Sequence, residues 1–327
     1  MKIKNLFKYV ILSLAFLIVA MLTFYFWASS TNHPEEDYSK LITNDYPENI
    51  DTDSVHSLIT YNIGYLSGMT NNRAVEKSEK LFDDNLTRVY SQFEKYNADI
   101  ICFQEIDYHS KRSYYVNQQD ELQELGYNYI FQAVNWDVNY LPFPYYPLSA
   151  HHGEIYSGQS IFSKYSLVNP ERIILERVAS NPFYRDAFYL DRLAQVVKTT
   201  INNKTIVLIN LHLEAFDKAT RTKQVRYIAE IYNRYKDLFP VLMAGDFNSD
   251  IEFDKAAIKT ILEIPGIASA HFNEDNKEKT FPSVNPQVRL DYIFYNTMFI
   301  EPLNSEILTS FGESSDHLPV LFEFKLK

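Results

Sequence analysis

The sequence has very little cysteine and glycine, and each shortage excludes a class of protein. Cys102 is the single cysteine among 327 residues, so the chain has no internal disulfide and is not a small disulfide-stapled scaffold. The eight glycines form neither a G-x-G-x-x-G nor a G-x-x-x-x-G-K-[ST] stretch. The sequence therefore does not predict either of the common glycine-rich loops that cradle nucleotide phosphates.

Basic residues are also in deficit. The chain has 31 Lys and Arg against 42 Asp and Glu, a net charge of −11. Residues 1–28 hold three lysines and no acid, so the remainder is more acidic still. Such a surface repels polyanions at long range. This argues against tight, non-specific binding of duplex DNA, while a local basic cleft stays open.

One uncharged stretch at the N-terminus is long enough to cross a bilayer as a helix. Residues 9–28 carry no charge, and Lys2, Lys4 and Lys8 precede them. Basic residues before the stretch and none just after it predict a cytoplasmic N-terminus and an extracytoplasmic remainder. The alternative is a cleaved signal peptide, because Ala28 and Ser30 are small enough for cleavage.

We predict three parts of the chain. Residues 1–28 form the cytoplasmic N-terminus and a single-pass anchor. Residues 29–54 are polar, acid-rich and contain two prolines, which is typical of a linker between membrane and domain. Residues 55–327 have a globular pattern throughout and form one catalytic domain.

Apolar strands alternate with a few helices along this domain. Helical periodicity is found in 72–96 and 218–239. Apolar, β-branched and aromatic runs predict strands in nine places, at 57–62, 98–104, 127–133, 159–163, 192–201, 205–213, 239–245, 290–296 and 319–326. Many strands with few long helices predict an α+β fold of two stacked sheets with helices outside.

Polar side chains occur at the ends of six of these runs. Each is a carboxylate, an amide or an imidazole beside an apolar strand: Asn62, Glu105, Asn210, His212, Asp246, Asn248, Asp291, Asp316 and His317. Strand ends on one edge of a sandwich can converge, and rigid strands hold side chains better than loops do. We therefore expect these groups to form one site.

Seven short motifs carry a resemblance to a known family. They are TYNIG, FQEID, SGQSIFSKY, NLHLEA, AGDFNS, RLDYIF and SSDHLPV, in this order between residues 58 and 324. The series resembles that of the endonuclease/exonuclease/phosphatase superfamily. The resemblance implies a four-layer α/β/β/α sandwich of two mixed sheets, in addition to the N-terminal transmembrane helix.

The resemblance also implies roles for the residues at the strand ends. Asn62, Glu105 and Asp316 match the positions that hold a metal ion. Carboxylate and amide oxygens suit Mg²⁺ or Mn²⁺, and magnesium keeps several waters, so few protein ligands are expected.

The catalytic positions are matched by His212, Asp246, Asn248, Asp291 and His317. Asp291 resembles the carboxylate that orients His317, which meets the scissile phosphate. Asp246 aligns or deprotonates the attacking water, and Asn248 donates to a phosphoryl oxygen. Which of Asp246 and His317 takes the proton stays open at this point.

Three further residues are candidate substrate contacts. Asn210 stands beside His212. Gln159 replaces the small apolar residue or Asn that other family branches carry. Arg192 suits bidentate phosphate binding.

Residues 133–158 are rich in aromatic side chains and contain three prolines. The pattern favours a long packed surface loop. The alternative is an aromatic rim for a lipid, a nucleobase or a bilayer surface.

The sequence thus predicts a Mg²⁺- or Mn²⁺-dependent phosphoric ester hydrolase that acts by in-line attack of water. The expected substrate is a phosphodiester or phosphomonoester, on a lipid or a small molecule outside the cytoplasm. The alternatives are an extracytoplasmic nuclease and a catalytically silent binding module. Besides the phosphorylated substrate and the membrane, no protein partner is inferred.

Overall fold

Two β-sheets stacked face to face form the centre of the catalytic part of the chain. The computed structural model describes residues 3–47, 54–271 and 278–327. The larger sheet has seven strands in the order β1-β4-β5-β3-β2-β13-β12. Its strands are β1 (Ser39–Thr43), β2 (His56–Asn62), β3 (Ile100–Asp107), β4 (Tyr129–Leu141), β5 (Gly153–Ser163), β12 (Ile300–Ile307) and β13 (Val320–Leu326).

The second sheet has six strands in the order β10-β11-β9-β8-β7-β6. They are β6 (Leu167–Ile174), β7 (Leu193–Ile201), β8 (Lys204–His212), β9 (Val241–Asp246), β10 (Ile267–Ser269) and β11 (Asp291–Asn296). Each sheet contains one parallel pair, β2 with β3 and β8 with β9, and its other pairs are antiparallel. Both sheets are therefore mixed, as predicted.

Helices cover the outer faces of both sheets. Helix α1 (Ile3–Ala28) stands outside the sandwich, and the other helices are α2 (Glu79–Tyr96), α3 (Gln118–Gln123), α4 (Phe183–Asp186), α5 (Lys218–Tyr235) and α6 (Lys259–Leu262). Phe82, Val89 and Phe93 of α2 pack on the larger sheet, and the apolar side of α5 packs on the second. A third apolar cluster, which includes Leu58 and Leu208, fills the space between the sheets. The predicted α/β/β/α sandwich is confirmed.

The two parallel pairs determine where polar side chains collect. In each pair a helix returns the chain to the start of the next strand, so the carboxyl ends of both strands lie at the same edge. Asn62 is opposite Gln104 across β2 and β3. His212, Asp246 and Asp291 lie in one row across β8, β9 and β11. We call this side of the sandwich the site edge.

Helix α1 is long and apolar enough to cross a membrane between Asn5 and Ala28, a test that a signal sequence also passes. Within the predicted linker, residues 29–54, part of the chain has regular structure. Ser39–Thr43 forms β1, which pairs with β4 at the edge of the larger sheet. An edge strand satisfies its backbone through one neighbour only, so it needs little apolar content. Residues 48–53 lie outside the described residues.

The aromatic segment 133–158 also differs from the predicted loop. β4 extends to Leu141 and β5 begins at Gly153, so the segment is a long hairpin whose two strands are joined by residues 142–152. Register shifts between Val134 and Trp136, and between Val138 and Leu141, accommodate extra residues and obscure the alternation of the sequence. The two predicted helices are shorter than expected, because α2 begins at Glu79 and α5 ends at Tyr235.

Gly245 lies in β9 where no larger residue fits, and this provides a test of the sheet. Its φ is 144°, and an added Cβ would lie 2.0 Å from the Leu211 carbonyl oxygen of β8. We expect Gly245→Ala to lower the free energy of unfolding by about 3 kcal/mol or more. Thermal unfolding of the full chain in detergent, followed by near-ultraviolet circular dichroism, measures the loss.

Gly126→Ala is the matched control. Gly126 also has a positive φ, 96°, but nothing lies within 4 Å of an added Cβ. It should lower the free energy of unfolding by only about 1 kcal/mol, the cost of the backbone conformation. Equal losses in the two variants would contradict the close contact between β8 and β9.

Candidate active site

Glu105 is presented by a distortion of β3. Its φ is 52°, in the left-handed region, and the pairing of β3 with β5 shifts register between Phe103 and Ile106. A non-glycine residue in this conformation costs free energy and is typical of functional positions. The bulge turns the carboxylate toward Asn62, whose Nδ2 donates to Glu105 Oε1 at 3.4 Å.

Asn71 connects two carboxylates that the sequence places 211 positions apart. Its Nδ2 donates to Glu105 Oε2 at 3.0 Å and to Asp316 Oδ1 at 3.2 Å. Burial raises the pKa of Asp316, and the charge of Glu105 adds to the rise. Two acids held this close favour a bound cation. Asn71 is absent from our predicted site because it lies in a polar loop, away from any strand end.

Asp246 lies at the centre of the site and is almost completely buried. Its Oδ2 accepts a hydrogen bond from Asn62 Nδ2 at 3.0 Å, and its Oδ1 accepts one from the backbone N–H of Asn248 at 2.8 Å. His212 Nε2 lies 3.3 Å and His317 Nε2 lies 3.9 Å from Oδ2. Burial raises the pKa of Asp246 to about 7, despite the opposing effect of His317.

His317 is held by Asp291. The Nδ1–H of His317 donates to Asp291 Oδ2 at 2.9 Å, and the Thr280 hydroxyl donates to the same oxygen at 2.6 Å. Burial alone would lower the pKa of His317, but the charge of Asp291 and this hydrogen bond raise it well above the ordinary value. His317 is therefore an imidazolium that turns its Nε2 toward Asp246. Thr280 is a further contact that the sequence did not indicate.

Asn248 has the local conformation that its predicted position requires. Its φ is 47°, a value that Asn tolerates better than most residues. The side-chain Nδ2 donates to the Leu213 carbonyl at 2.9 Å and lies 3.4 Å from Asp246 Oδ2. The GDFNS turn thus bends the amide back over the carboxylate at the end of β9.

His212 and Arg192 form a second group beside Asp246. Arg192 Nη1 donates to His212 Nε2 at 2.6 Å, and Arg192 Nε lies 3.7 Å from Glu214 Oε2. Tyr189 donates to both Glu214 oxygens, at 2.9 and 3.0 Å. Burial, together with the charges of Arg192 and His317, lowers the pKa of His212 well below its ordinary value. His212 is therefore a neutral hydrogen-bonding group.

Two predicted substrate contacts lie deeper than the rest. Asn210 accepts from Gln104 Nε2 at 2.6 Å and donates to Gln195 and to the Phe103 carbonyl, so it joins the two sheets instead of facing the site. Gln159 is fully buried, and neither polar atom of its side chain has a partner among the described residues. A buried amide without partners is destabilising by about 1–3 kcal/mol.

Two sets of residues could hold a metal ion. Asp246, Asp291 and His317 have ligand atoms within 4.8 Å of one another. In that set, however, His317 and Asp291 are already hydrogen-bonded to each other. Glu105 and Asp316, with Asn62 beside them, offer hard carboxylate oxygens that Asn71 bridges through its amide, and neither carboxylate is paired with an imidazole as closely as Asp291 is. This second set is the better match for a divalent ion such as Mg²⁺ or Mn²⁺.

The comparisons with known proteins identify the family. The endonuclease/exonuclease/phosphatase family matches residues 59–317, so the chain belongs to it. Members of this family hydrolyse phosphate esters and typically use a divalent metal. A UPF0294 protein of Vibrio cholerae is 33% identical over 125 residues, which are 38% of this chain and 42% of that protein. The uncharacterized protein YbhP of Escherichia coli K12 is 25% identical over 232 residues, 70% of this chain and 84% of YbhP.

Solved structures share the fold. The endonuclease/exonuclease/phosphatase of Beutenbergia cavernae has a TM-score of 0.59 at 17% identity, over 83% of this chain and 72% of that one. The human Nocturnin catalytic domain with a bound sulfate has a TM-score of 0.57 at 19% identity, over 90% and 100%. The mannosyl-6-phosphatase of Bacteroides thetaiotaomicron has a TM-score of 0.56 at 16% identity, over 83% and 99%. The predicted family and fold are confirmed.

The pairing of Asp291 with His317 can be tested directly. We expect Asp291→Asn to lower the pKa of His317, because burial then acts without the opposing carboxylate. NMR titration of the full chain with carbon-labelled histidine measures this, and His317→Gln assigns the signal. Asp250→Asn is the control, since this equally buried carboxylate contacts Arg289 and Lys279 and not His317. An unchanged pKa in Asp291→Asn would contradict the pairing.

Proposed function

We propose that this chain is a divalent-metal-dependent phosphoric ester hydrolase that acts outside the cytoplasm by in-line attack of water. One observation supports this above all. Carboxylates, amides and imidazoles from six separate segments form one connected polar network at the site edge. Such a network offers a proton acceptor, donors for a phosphate and hard ligands for a cation in one place.

Asp246 is the proposed proton acceptor. Asn62 and the Asn248 backbone N–H fix its two oxygens, and its raised pKa suits proton transfer near neutral pH. His317 is an imidazolium, so its Nε2 also carries a proton and it is less suited to accept another. The water oxygen bonds to phosphorus, the water proton passes to Asp246, and the bond from phosphorus to the leaving oxygen breaks.

His317 and Asn248 would contact the phosphoryl oxygens, with His212 beside them. An imidazolium fixed by a carboxylate stabilises the charge that grows in the transition state. Because His212 is neutral and its Nε2 accepts from Arg192, we assign it the orientation of Arg192 beside the phosphate instead of proton donation to the leaving group. Arg192 donates to His212, and we assign its guanidinium a contact with the same phosphate. Asn210 would then act by positioning the strands beneath these groups.

Asn62, Glu105 and Asp316 are the proposed metal-holding residues, with Asn71 positioning the two carboxylates. A bound Mg²⁺ or Mn²⁺ would neutralise charge on the phosphoryl and leaving oxygens. Asn71 would keep the two carboxylates correctly spaced.

The proposed substrate is a phosphodiester or phosphomonoester of a lipid or a small molecule. The apolar helix α1 supports a membrane anchor with the catalytic domain on the extracytoplasmic side, and a cleaved signal sequence is the alternative. The structural neighbours include a mannosyl-6-phosphatase and a zebrafish TDP2 complexed with a single-strand DNA product. The fold therefore accepts phosphates of very different size.

Glu105→Gln tests the metal-holding role. We expect the rate of hydrolysis to fall about 10²-fold or more, and the affinity for Mn²⁺ to fall in parallel, since one hard ligand becomes neutral. Hydrolysis is measured with Mg²⁺ against phosphomonoesters, phosphodiesters, sphingomyelin, phosphoinositides and plasmid DNA. Mn²⁺ binding is measured separately by calorimetry.

Glu313→Gln is the matched control, because Glu313 is an exposed carboxylate in the loop that precedes Asp316. It should leave both measurements unchanged. Full activity and full Mn²⁺ affinity in Glu105→Gln would refute the assignment. A wild-type chain that binds neither Mg²⁺ nor Mn²⁺ would instead support a catalytically silent binding module.

The nuclease alternative is favoured by the TDP2 neighbour and opposed by the net charge of −11. Phosphate contacts make DNA binding strongly dependent on salt. Cleavage of plasmid DNA that weakens steeply with added salt, without hydrolysis of any lipid or small ester, would establish this alternative.

A further inference from the structure

Exposed aromatic side chains are concentrated on three connections of the sandwich. Among the described residues outside α1, five aromatic side chains are at least 60% exposed. They are Tyr145, Tyr146, Phe183, Tyr184 and Phe216. Exposing a group of large aromatic side chains to water is unfavourable. Their grouping therefore marks an interaction surface.

All three connections leave the sandwich at the site edge. Tyr145 and Tyr146 lie between β4 and β5, and β5 runs antiparallel to β3, whose far end carries Glu105. Phe183 and Tyr184 lie between β6 and β7, and β7 starts opposite His212. Phe216 follows His212 by four residues. The aromatic side chains therefore surround the end of the molecule at which the catalytic groups lie.

Helix α1 docks on the same surface. The Trp27 ring stacks on Tyr140 with 6.3 Å between centroids, and Phe24 meets Tyr140 edge-on at 5.9 Å. Tyr25 packs against Phe183 at 6.1 Å, and its hydroxyl donates to the Phe183 carbonyl at 3.3 Å. The carboxyl end of the apolar helix thus joins the aromatic connections directly.

The chain that follows α1 is also fixed to the domain. The Asn139 backbone N–H donates to the Ser30 carbonyl at 3.0 Å. The backbone N–H groups of Asn32 and His33 donate to the Asp137 carboxylate at 3.0 and 2.9 Å. The His33 ring stacks on Tyr156 at 3.7 Å. These contacts replace a flexible tether by a rigid attachment to the β4–β5 hairpin.

We propose that α1 and the five exposed aromatic side chains form one bilayer-facing surface, which holds the active site against the membrane that contains α1. A bilayer is the partner of this surface because it is continuous with α1. The bilayer around the unburied apolar helix would reach the aromatic connections beside the end of that helix. Tyr, Phe and Trp are well suited to the headgroup region, where one end of the ring is apolar and the other wet.

The surface implies a class of substrate, and this step rests on the proposed function. A site held at the headgroup level meets phosphate esters of membrane amphiphiles at high local concentration. The substrate is then an amphiphilic phosphate ester in the same bilayer, and a water-soluble ester with the same headgroup is hydrolysed less efficiently.

The surface is tested by the depth of labels in the full chain. Cys102 is buried, so Tyr146→Cys provides the only accessible thiol for a fluorophore. The unaltered chain controls for background labelling. Met298→Cys is the matched position, since Met298 is 67% exposed in the turn after β11, at the opposite edge. The labelled proteins are reconstituted in phosphatidylcholine–phosphatidylglycerol vesicles with spin-labelled lipids.

We expect spin-labelled lipids to quench the label at 146 and to leave the label at 298 unquenched. Equal quenching at both positions, or none at 146, would contradict the proposal that this surface faces the bilayer. The aromatic side chains would then face water or a protein partner. This measurement involves no hydrolysis, so it stands whether or not the chain is an enzyme.

The substrate class is tested with long-chain esters in vesicles and short-chain soluble esters of the same headgroup. The double variant Tyr145→Ser/Tyr146→Ser should reduce the rate on the vesicle ester by about tenfold relative to the soluble one. Met298→Ser should leave this ratio unchanged. An unchanged ratio in the double variant would overturn the substrate class. Hydrolysis of neither ester, with quenching as expected, would count against the proposed function and not against the surface.

Discussion

The hydrogen bond between Asn62 and Asp246 connects the two sheets at the point where the site is built. Asn62 ends β2 in the larger sheet, and Asp246 ends β9 in the second. A second tie lies one layer deeper, where Asn210 of the second sheet meets Gln104 and Phe103 of the larger one. Buried polar groups need hydrogen-bond partners, so these two sets of hydrogen bonds fix the position of one sheet relative to the other. Every distance between the proposed metal-holding and phosphate-binding residues depends on that position.

Much of this arrangement could be predicted from strand ends alone. Side chains that directly follow an apolar run, such as Glu105, Asp246 and His317, were found because β-sheet topology brings such ends together. Asn71 and Thr280 were missed, since they come from loops whose course depends on tertiary packing. Asn210 lies in the expected region, but its hydrogen bonds join the two sheets, since the sequence shows that it precedes His212 but not which partners satisfy its amide.

The regular structure within the predicted linker and within the predicted aromatic loop arises for a related reason. Both segments pair through their backbones, and backbone pairing leaves little trace in composition. The Asp137 carboxylate accepts hydrogen bonds from Asn32, His33 and Tyr38. It lies more than a hundred positions along the chain from the first two. Prolines and aromatic side chains at the end of the hairpin suggested irregular chain, whereas bulges within β4 preserve the pairing. Long-range contacts of this kind decided the attachment of α1.

The balance of charge in the site supports the proposed cation. Glu105, Asp246, Asp291 and Asp316 are joined by amides and imidazoles in one network, and His317 is the imidazolium among them. Arg192 is partly compensated by Glu214. A phosphate ester approaching these carboxylates meets a net negative charge in a poorly solvated place, where Coulomb repulsion is weakly screened. A divalent ion at Glu105 and Asp316 would reverse that sign on one side of the site, while His317 attracts the phosphate from the other. The same acids that would repel a phosphate ester alone would therefore favour a metal together with a phosphate.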